Sequence, residues 1–328
     1  MGHALALSRR GLGNTWPNPA VGCVVVRDGI VLGRGWTQPG GRPHAEVMAL
    51  RQAGAAAQGA TAYVTLEPCA HHGKTGPCAE ALAHAGVARV VSALTDPDPR
   101  VAGRGHAILR AAGIAVTEGV REAEARELQR GFLTRVTLGR PMLVLKLATS
   151  FDGQIALASG ESRWITGPAA RRHVHLLRLT HDAVMVGGGT ARADRPALNV
   201  RGFGPVRQPV RVVVSAQDLP DLPPEDATHG PLWQVQGDPA QIMAELGARG
   251  VTRVFCEGGG QLAASLLAAG LVDELIGYTA GVVIGGDGRA AVGAIALPSL
   301  AAAPRFDLVE SRRIGPDLFH RWRRHSQE

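Results

Sequence analysis

Lysine is almost missing from this chain. Of 35 basic residues in 328 positions, only Lys74 and Lys146 are lysines; all the others are arginine. A chain this committed to arginine is expected to keep lysine where a compact ammonium does what a planar guanidinium cannot. Asparagine is nearly as scarce, at Asn14, Asn18 and Asn199. Aromatic residues make up 4%, which leaves few platforms for stacking single-stranded bases and speaks against a nucleic-acid partner. No run approaches the ~18 apolar residues of a membrane span, so no membrane partner is expected. The short apolar run Ala4 to Leu7, followed by Arg9 and Arg10, has the wrong order for a secretory signal. Four cysteines are too few for a disulfide framework and point to a reducing, cytoplasmic setting. The net charge of +7, carried by single and paired arginines, suits a small anionic substrate such as a sugar phosphate.

The length corresponds to about two domains. In the first half, residues 21–26 and 30–35 read as a hairpin through Arg27-Asp28-Gly29. Helices are expected over 44–53, 78–85 and 103–112, each closed by a glycine, and strands over 60–66, 88–94 and 114–117. A polar helical stretch over 118–138 leads to a linker near Thr137 to Pro141. The second half repeats the alternation. Strands are expected over 142–148, 183–186, 210–214, 253–256 and 275–284, and helices over 168–179, 239–248 and 262–269. A closing hairpin falls within 306–322, and residues 218–231, with Pro220, Pro223, Pro224 and Pro231, read as a surface loop. Such alternation predicts two α/β domains, 1–138 and 139–328.

Three short motifs carry chemistry in the first half. His44-Ala45-Glu46 opens a helix, Pro68-Cys69 follows a strand, and Pro77-Cys78 opens the next helix. One histidine and two cysteines are a borderline-soft donor set suited to Zn²⁺, and three protein ligands leave a fourth position for water. Glu46 is near enough to move protons for that water without ligating the metal. The pattern follows the zinc-deaminase signature His-x-Glu with Pro-Cys-x-x-Cys, except that eight residues separate the two cysteines. A purely structural zinc site, with a fourth ligand from His71, His72 or Cys23, remains the alternative.

These motifs resemble the bifunctional riboflavin-biosynthesis deaminase/reductase family. The likeness runs through Pro17-Asn18-Pro19-Ala20-Val21-Gly22, His44-Ala45-Glu46, the segment Leu66 to Cys78 with its long inter-cysteine spacer, and Asp96-Pro97-Asp98-Pro99. The resemblance implies a cytidine-deaminase-like α/β/α domain with His44, Cys69 and Cys78 on zinc and Glu46 as acid and base. It implies pyrimidine and ribose-phosphate contacts from Asn18, His71, Lys74 and Asp96. Two departures stand out: Asp98 where the family has asparagine, and Thr37 where it tends to have histidine.

In the second half, Lys146 interrupts the apolar run Leu143 to Ala148, where an unpaired ammonium is costly and so must be paired or functional. Glu257-Gly258-Gly259-Gly260 leads from a strand into a helix, as a phosphate cradle does, and Gly187-Gly188-Gly189-Thr190 makes a second close turn. The family resemblance continues from Lys146 through Asp152-Gly153, Ser162, Trp164 and the glycine turns. It implies a dihydrofolate-reductase-like α/β domain using NADPH, with Lys146 and Glu257 as the polar centre beside the transferred hydride. Cofactor contacts are implied from Ala148, Trp164, Thr190, Asp194, Ser215 and Gly259. Substrate contacts are implied from Ser162, Arg178, Leu198, Arg201 and Glu257, the arginines suiting a phosphate. Arg195 departs from the family's Asp-Asp-Pro. The resemblance also implies small ribose-phosphate pyrimidine substrates and a homo-oligomer. Rival readings are a nucleic-acid deaminase with a non-catalytic second half and a non-catalytic zinc-stabilised binding protein.

Overall fold

The computed structural model describes residues 1–72, 76–99 and 101–325. The chain folds into two compact units, Met1–Arg140 and Pro141–Glu328. The first contains α1 (Gly2–Ser8), β1 (Gly22–Arg27), β2 (Ile30–Trp36), α2 (Ala45–Ala53), β3 (Thr61–Val64), α3 (Cys78–His84), β4 (Arg89–Ser92), α4 (Arg104–Ala111), β5 (Ala115–Thr117) and α5 (Glu122–Leu138). Its sheet has the order β2-β1-β3-β4-β5. β1 is antiparallel to both neighbours, whereas β3, β4 and β5 are parallel.

Strand alternation sorts the side chains of β1 into two layers. Cys23 and Val25 join Ala45, Ala49 and Ala53 of α2, while Val24 packs with Ala4 and Leu7 of α1. Gly33 and Gly35 let α2 lie directly on β2. A Cβ on either would run into the carbonyl of Ala49 or Ala45. This close seat holds the first turn of α2, and with it His44 and Glu46, against the sheet.

A buried carboxylate fixes the chain that follows β3 of the same sheet. Glu67, 3% exposed, follows β3. Its Oε1 accepts from the amides of Gly105 and His106 at 2.9 and 3.3 Å, and its Oε2 from those of Asp96 and Gly103 at 3.2 and 3.0 Å. A buried charge is tolerated only when its lone pairs are met, and here four main-chain donors meet them. Gly105 completes the fit, since a Cβ there would strike the Pro68 carbonyl. The segment from Asp96 to His106 is thus tied to the strand end that leads into Cys69.

The second unit contains β6 (Met142–Thr149), β7 (Gln154–Ala156), α6 (Pro168–Leu179), β8 (Ala183–Gly187), α7 (Gly188–Asp194), β9 (Val210–Val214), β10 (Leu232–Val235), α8 (Pro239–Ala248), β11 (Arg253–Cys256), α9 (Gly260–Ala268), β12 (Glu274–Thr279), β13 (Arg289–Ala290), β14 (Phe306–Ile314) and β15 (Asp317–Arg324). The main sheet runs β10-β9-β8-β11-β6-β12-β15-β14. It is parallel from β10 to β12 and closes with the antiparallel hairpin β15–β14. Met142 and Val144 pack under Ala170 and Val174 of α6 with Phe255, Ile276, Tyr278 and Phe319. Lys146 has the same strand parity, so it extends this face toward the C-terminal end of β6.

Several expectations are corrected. The strand expected over 275–284 ends at Thr279, because residues beyond Ala280 leave the sheet and the exposed carboxylate of Asp152 takes the amides of Ile284 and Gly285. The turn expected at 187–190 opens helix α7, and the run Ala4 to Leu7, for which no element is expected, lies within helix α1. The proline-rich loop forms no regular element beyond a bridge between Asp226 and His229, yet Arg211 pins it. That arginine is 1% exposed and donates to the carbonyls of Gly230 and Pro223 at 2.8 and 2.7 Å. Among the described residues no helix is long and apolar enough to cross a membrane.

Two outcomes are expected. Glu67→Ala removes one acceptor from four amides, so the amides of Asp96, Gly103, Gly105 and His106 should exchange hydrogen at least about tenfold faster; unchanged protection would refute the clamp. His181 is buried, and burial drives its pKa down to about 3. The unfolded chain therefore binds this proton first, and stability is lost as pH falls from 6.5 toward 3. The cost should reach about 2 kcal/mol at pH 5. His181→Phe should flatten that part of the melting-temperature profile; an unaltered profile would refute the assignment.

Candidate active sites

The first site gathers donors from three element ends. His44 is the residue before α2, Cys69 lies in the loop beyond β3, and Cys78 begins α3. His44 Nδ1 lies 3.3 Å from Cys78 Sγ and 3.6 Å from Cys69 Sγ, and all three donor atoms fall within 4.8 Å of one another. Tetrahedral zinc with bonds of about 2.0–2.3 Å sets its donors roughly 3.5–3.8 Å apart. The distances and the nitrogen–sulfur chemistry therefore fit zinc. The Cys78 amide also donates to Cys69 Sγ at 3.3 Å. The Cys69 thiol is held low, first by the hydrogen bond from Cys78, against burial, and then by His44.

Glu46 projects from the first turn of α2 and is 3% exposed. Burial raises its pKa to about 6, with His44 pulling in the other direction. A carboxyl that exchanges its proton near neutrality suits proton transfer. His71 Nδ1 is buried with no hydrogen-bond partner among the described residues. Asn18 Nδ2 donates to the Gly41 carbonyl at 3.0 Å, and Asp96 Oδ1 accepts from the Asp98 amide at 2.9 Å. Lys74 lies outside the described residues. Of the two departures here, the Thr37 side chain has a local structural role, whereas the main-chain bonds of Asp98 are open to any residue. Thr37 Oγ1 accepts from the Val21 amide at 2.9 Å, and the Asp98 carbonyl accepts from the amides of Val101 and Ala102. Glu67 was not anticipated; its signal is an acidic residue between an apolar strand and the Pro68-Cys69 turn.

In the second unit, Arg178 from the last turn of α6 grips Glu257 with a guanidinium fork, Nη2 to Oε2 at 3.0 Å and Nε to Oε1. Arg178 Nη1 also donates to the Asn199 carbonyl at 2.7 Å. Burial would raise the Glu257 pKa, but Arg178 and then Lys146 carry it below its ordinary value. Burial lowers the Lys146 pKa, with Glu257 opposing. Lys146, Arg178 and Glu257 thus form one electrostatic group.

Two glycine turns lie side by side at the ends of parallel strands β8 and β11. The Gly187 amide donates to the Gly258 carbonyl at 3.3 Å, as does Thr190 Oγ1 at 3.4 Å. Gly258 and Gly259 take φ values of +84° and +97°, a region open to glycine. Ligands bind open α/β sheets at such strand ends, and the turns leave main-chain room for a nucleotide's phosphates. Trp164 is 67% exposed with Arg171 stacked 4.4 Å over it, which leaves a planar surface suited to a ring system. Ser162 and Asp194 line an open cleft of about 370 Å³ with Arg163 and Arg195. Ala148 is half-buried near the end of β6, and Ser215 follows β9. These features fit a dinucleotide. The Leu198 side chain is buried among Val184, Val186 and Val213, so only its backbone can face a ligand. Arg201 is exposed and anchored through its own amide to His175 Nδ1.

Comparison with known proteins agrees with this geometry. The profile of the cytidine and deoxycytidylate deaminase zinc-binding region matches residues 1–94, and that of the RibD C-terminal domain matches residues 141–320. The riboflavin biosynthesis protein RibD of Escherichia coli is 45% identical, covering 97% of this chain and 96% of the relative, and that of Haemophilus influenzae is 42% identical over 97% and 95%. The solved structure of Acinetobacter baumannii RibD superposes with a TM-score of 0.90 at 40% identity, covering 99% of this chain and 98% of that one. A deaminase/reductase from Thermotoga maritima gives 0.87 at 33% identity, over 99% and 97%. Agreement of this extent in both halves, with a zinc-type donor set in the first, does not favour the nucleic-acid alternative: the chain belongs to the RibD family of riboflavin-biosynthesis enzymes, bifunctional deaminases and reductases that use zinc and NADPH.

Proposed function

We propose that residues 1–138 hydrolyse the exocyclic amine of 2,5-diamino-6-(5-phosphoribosylamino)pyrimidin-4(3H)-one. Residues 139–328 then reduce the ribosyl side chain of 5-amino-6-(5-phosphoribosylamino)uracil to ribityl. The observation that carries this reading is the convergence of His44, Cys69 and Cys78 with a buried Glu46 beside them. When bound by those three donors, zinc would supply an acidified water. Glu46 carries the proton from that water to the departing amine nitrogen, and its raised pKa lets the carboxyl both accept and release it. Asn18, His71 and Lys74 hold the pyrimidine and its ribose phosphate with help from Asp96; the buried His71 Nδ1, without a partner among the described residues, supports this reading.

In the second unit NADPH supplies the hydride. Lys146 and Glu257 orient the reacting ribosyl carbon, and the fork from Arg178 keeps Glu257 ionised. Arg178, Arg201, Ser162 and the Leu198 backbone hold the substrate. Ala148, Trp164, Thr190, Asp194, Ser215 and Gly259 hold the cofactor. A homo-oligomer in the cytoplasm completes the reading; it rests on the family resemblance and on four cysteines that are all free thiols.

The test is a split assay on the full chain. Ammonia should appear without NADPH, and NADPH absorbance should fall only when the cofactor is added afterwards. Glu46→Gln should lower ammonia release at least about 100-fold, keep the bound zinc, and leave reduction of the uracil substrate intact. Ammonia release unaffected by this substitution would overturn the role of Glu46. Ammonia without later NADPH oxidation would overturn the assignment of the second half.

A further inference from the structure

Arg192 stands between the expected cofactor contacts Thr190 and Asp194, outside the polar centre around Lys146, and has no expected role of its own. It sits in the last turn of α7 and is exposed, and its guanidinium turns back over the end of the sheet. Nη1 lies 3.4 Å from Ser215 Oγ, and it would stand 3.1 Å from a Cβ placed on Gly188. Among the described residues no carboxylate pairs with it. Ser215 itself is rigidly held. Its hydroxyl donates to the Gln217 carbonyl at 2.9 Å and accepts from the Gln217 amide at 3.2 Å, while Gln234 Nε2 donates to both the Ser215 and Gln217 carbonyls. The result is an unpaired guanidinium over a fixed hydroxyl, at the C-terminal ends of parallel strands β8 and β9.

The position relative to the glycine turns gives this cation a task. The turns at Gly187 and Gly258 lie at the ends of β8 and β11, whereas Ser215 ends β9, one strand further out. Adjacent strands are about 4.8 Å apart. A dinucleotide whose pyrophosphate rests on the turns therefore carries its adenosine ribose toward Ser215. NADPH differs from NADH only by a phosphate on that ribose, and an arginine fork is suited to such a group.

We propose that Arg192, with Ser215, forms the subsite for the 2′-phosphate and sets the preference of the second unit for NADPH over NADH. This rests on the reading of the second unit as the NADPH-dependent reductase. Binding to the full chain tests it by calorimetry, with 2′,5′-ADP, ADP and ribose 5-phosphate as probes. Wild type should bind 2′,5′-ADP more tightly than ADP. Arg192→Ala should weaken 2′,5′-ADP about 10- to 100-fold, leave ADP and ribose 5-phosphate nearly unchanged, and Arg192→Lys should recover part of the loss. Equal loss for 2′,5′-ADP and ADP, or no loss, would overturn the subsite while leaving the cofactor reading intact. Loss confined to ribose 5-phosphate would transfer Arg192 to the substrate. A wild-type chain indifferent to the 2′-phosphate would overturn the cofactor reading itself.

Discussion

A carboxylate without water must be met by donors, and this chain folds around that requirement in both units. Glu67 draws four main-chain amides from the Asp96–His106 segment onto the strand end before Cys69. Asp182 accepts from the amides of Thr252 and Arg253 and from the Thr252 hydroxyl, which locks the start of β8 to the start of β11. Glu257 takes the Arg178 fork at the other end of the same strands. Each acid would cost several kcal/mol if stranded, so the loops that satisfy it are held in place. The zinc-type donor set and the Lys146 centre each stand beside one of these anchored loops.

The anchors were the least legible part of the sequence. His44-Ala45-Glu46 and the twin Pro-Cys turns were readable because metal chemistry accepts few residue types. Helices such as Pro168–Leu179 and Pro239–Ala248 were readable because proline and spacing mark their ends. Glu67 is marked only by its place between an apolar strand and the Pro68-Cys69 turn, since its four partners lie 29 to 39 residues away and contribute only amides. Helix α7 was hidden because it begins with glycines, poor helix formers that tertiary context overrode. The strand expected to reach Ile284 was too long because apolar content continues through Val282, Val283 and Ile284, past the end of the sheet pairing at Thr279.

The arginine bias noted at the outset also takes on physical meaning. Arg178 and Arg211 use planar, multi-donor geometry to bridge groups that lie apart. Lys146 instead stands in a strand beside a carboxylate already gripped by a fork, where a point charge on a thin stem fits and a second guanidinium would compete for the same oxygens.

The donor set of the first unit has a property set by reach. His44 faces the thiols through Nδ1, the ring nitrogen nearer its own main chain, and each cysteine sulfur is one bond from Cβ. All three tethers are short and leave few torsions to absorb an error. A cation held there would have its coordinates dictated by the backbone at residues 44, 69 and 78 rather than by side-chain adjustment. Ionic radius would then be read against a nearly fixed frame, so the close seat of α2 on Gly33 and Gly35 acts as a gauge of which ion the chain accepts.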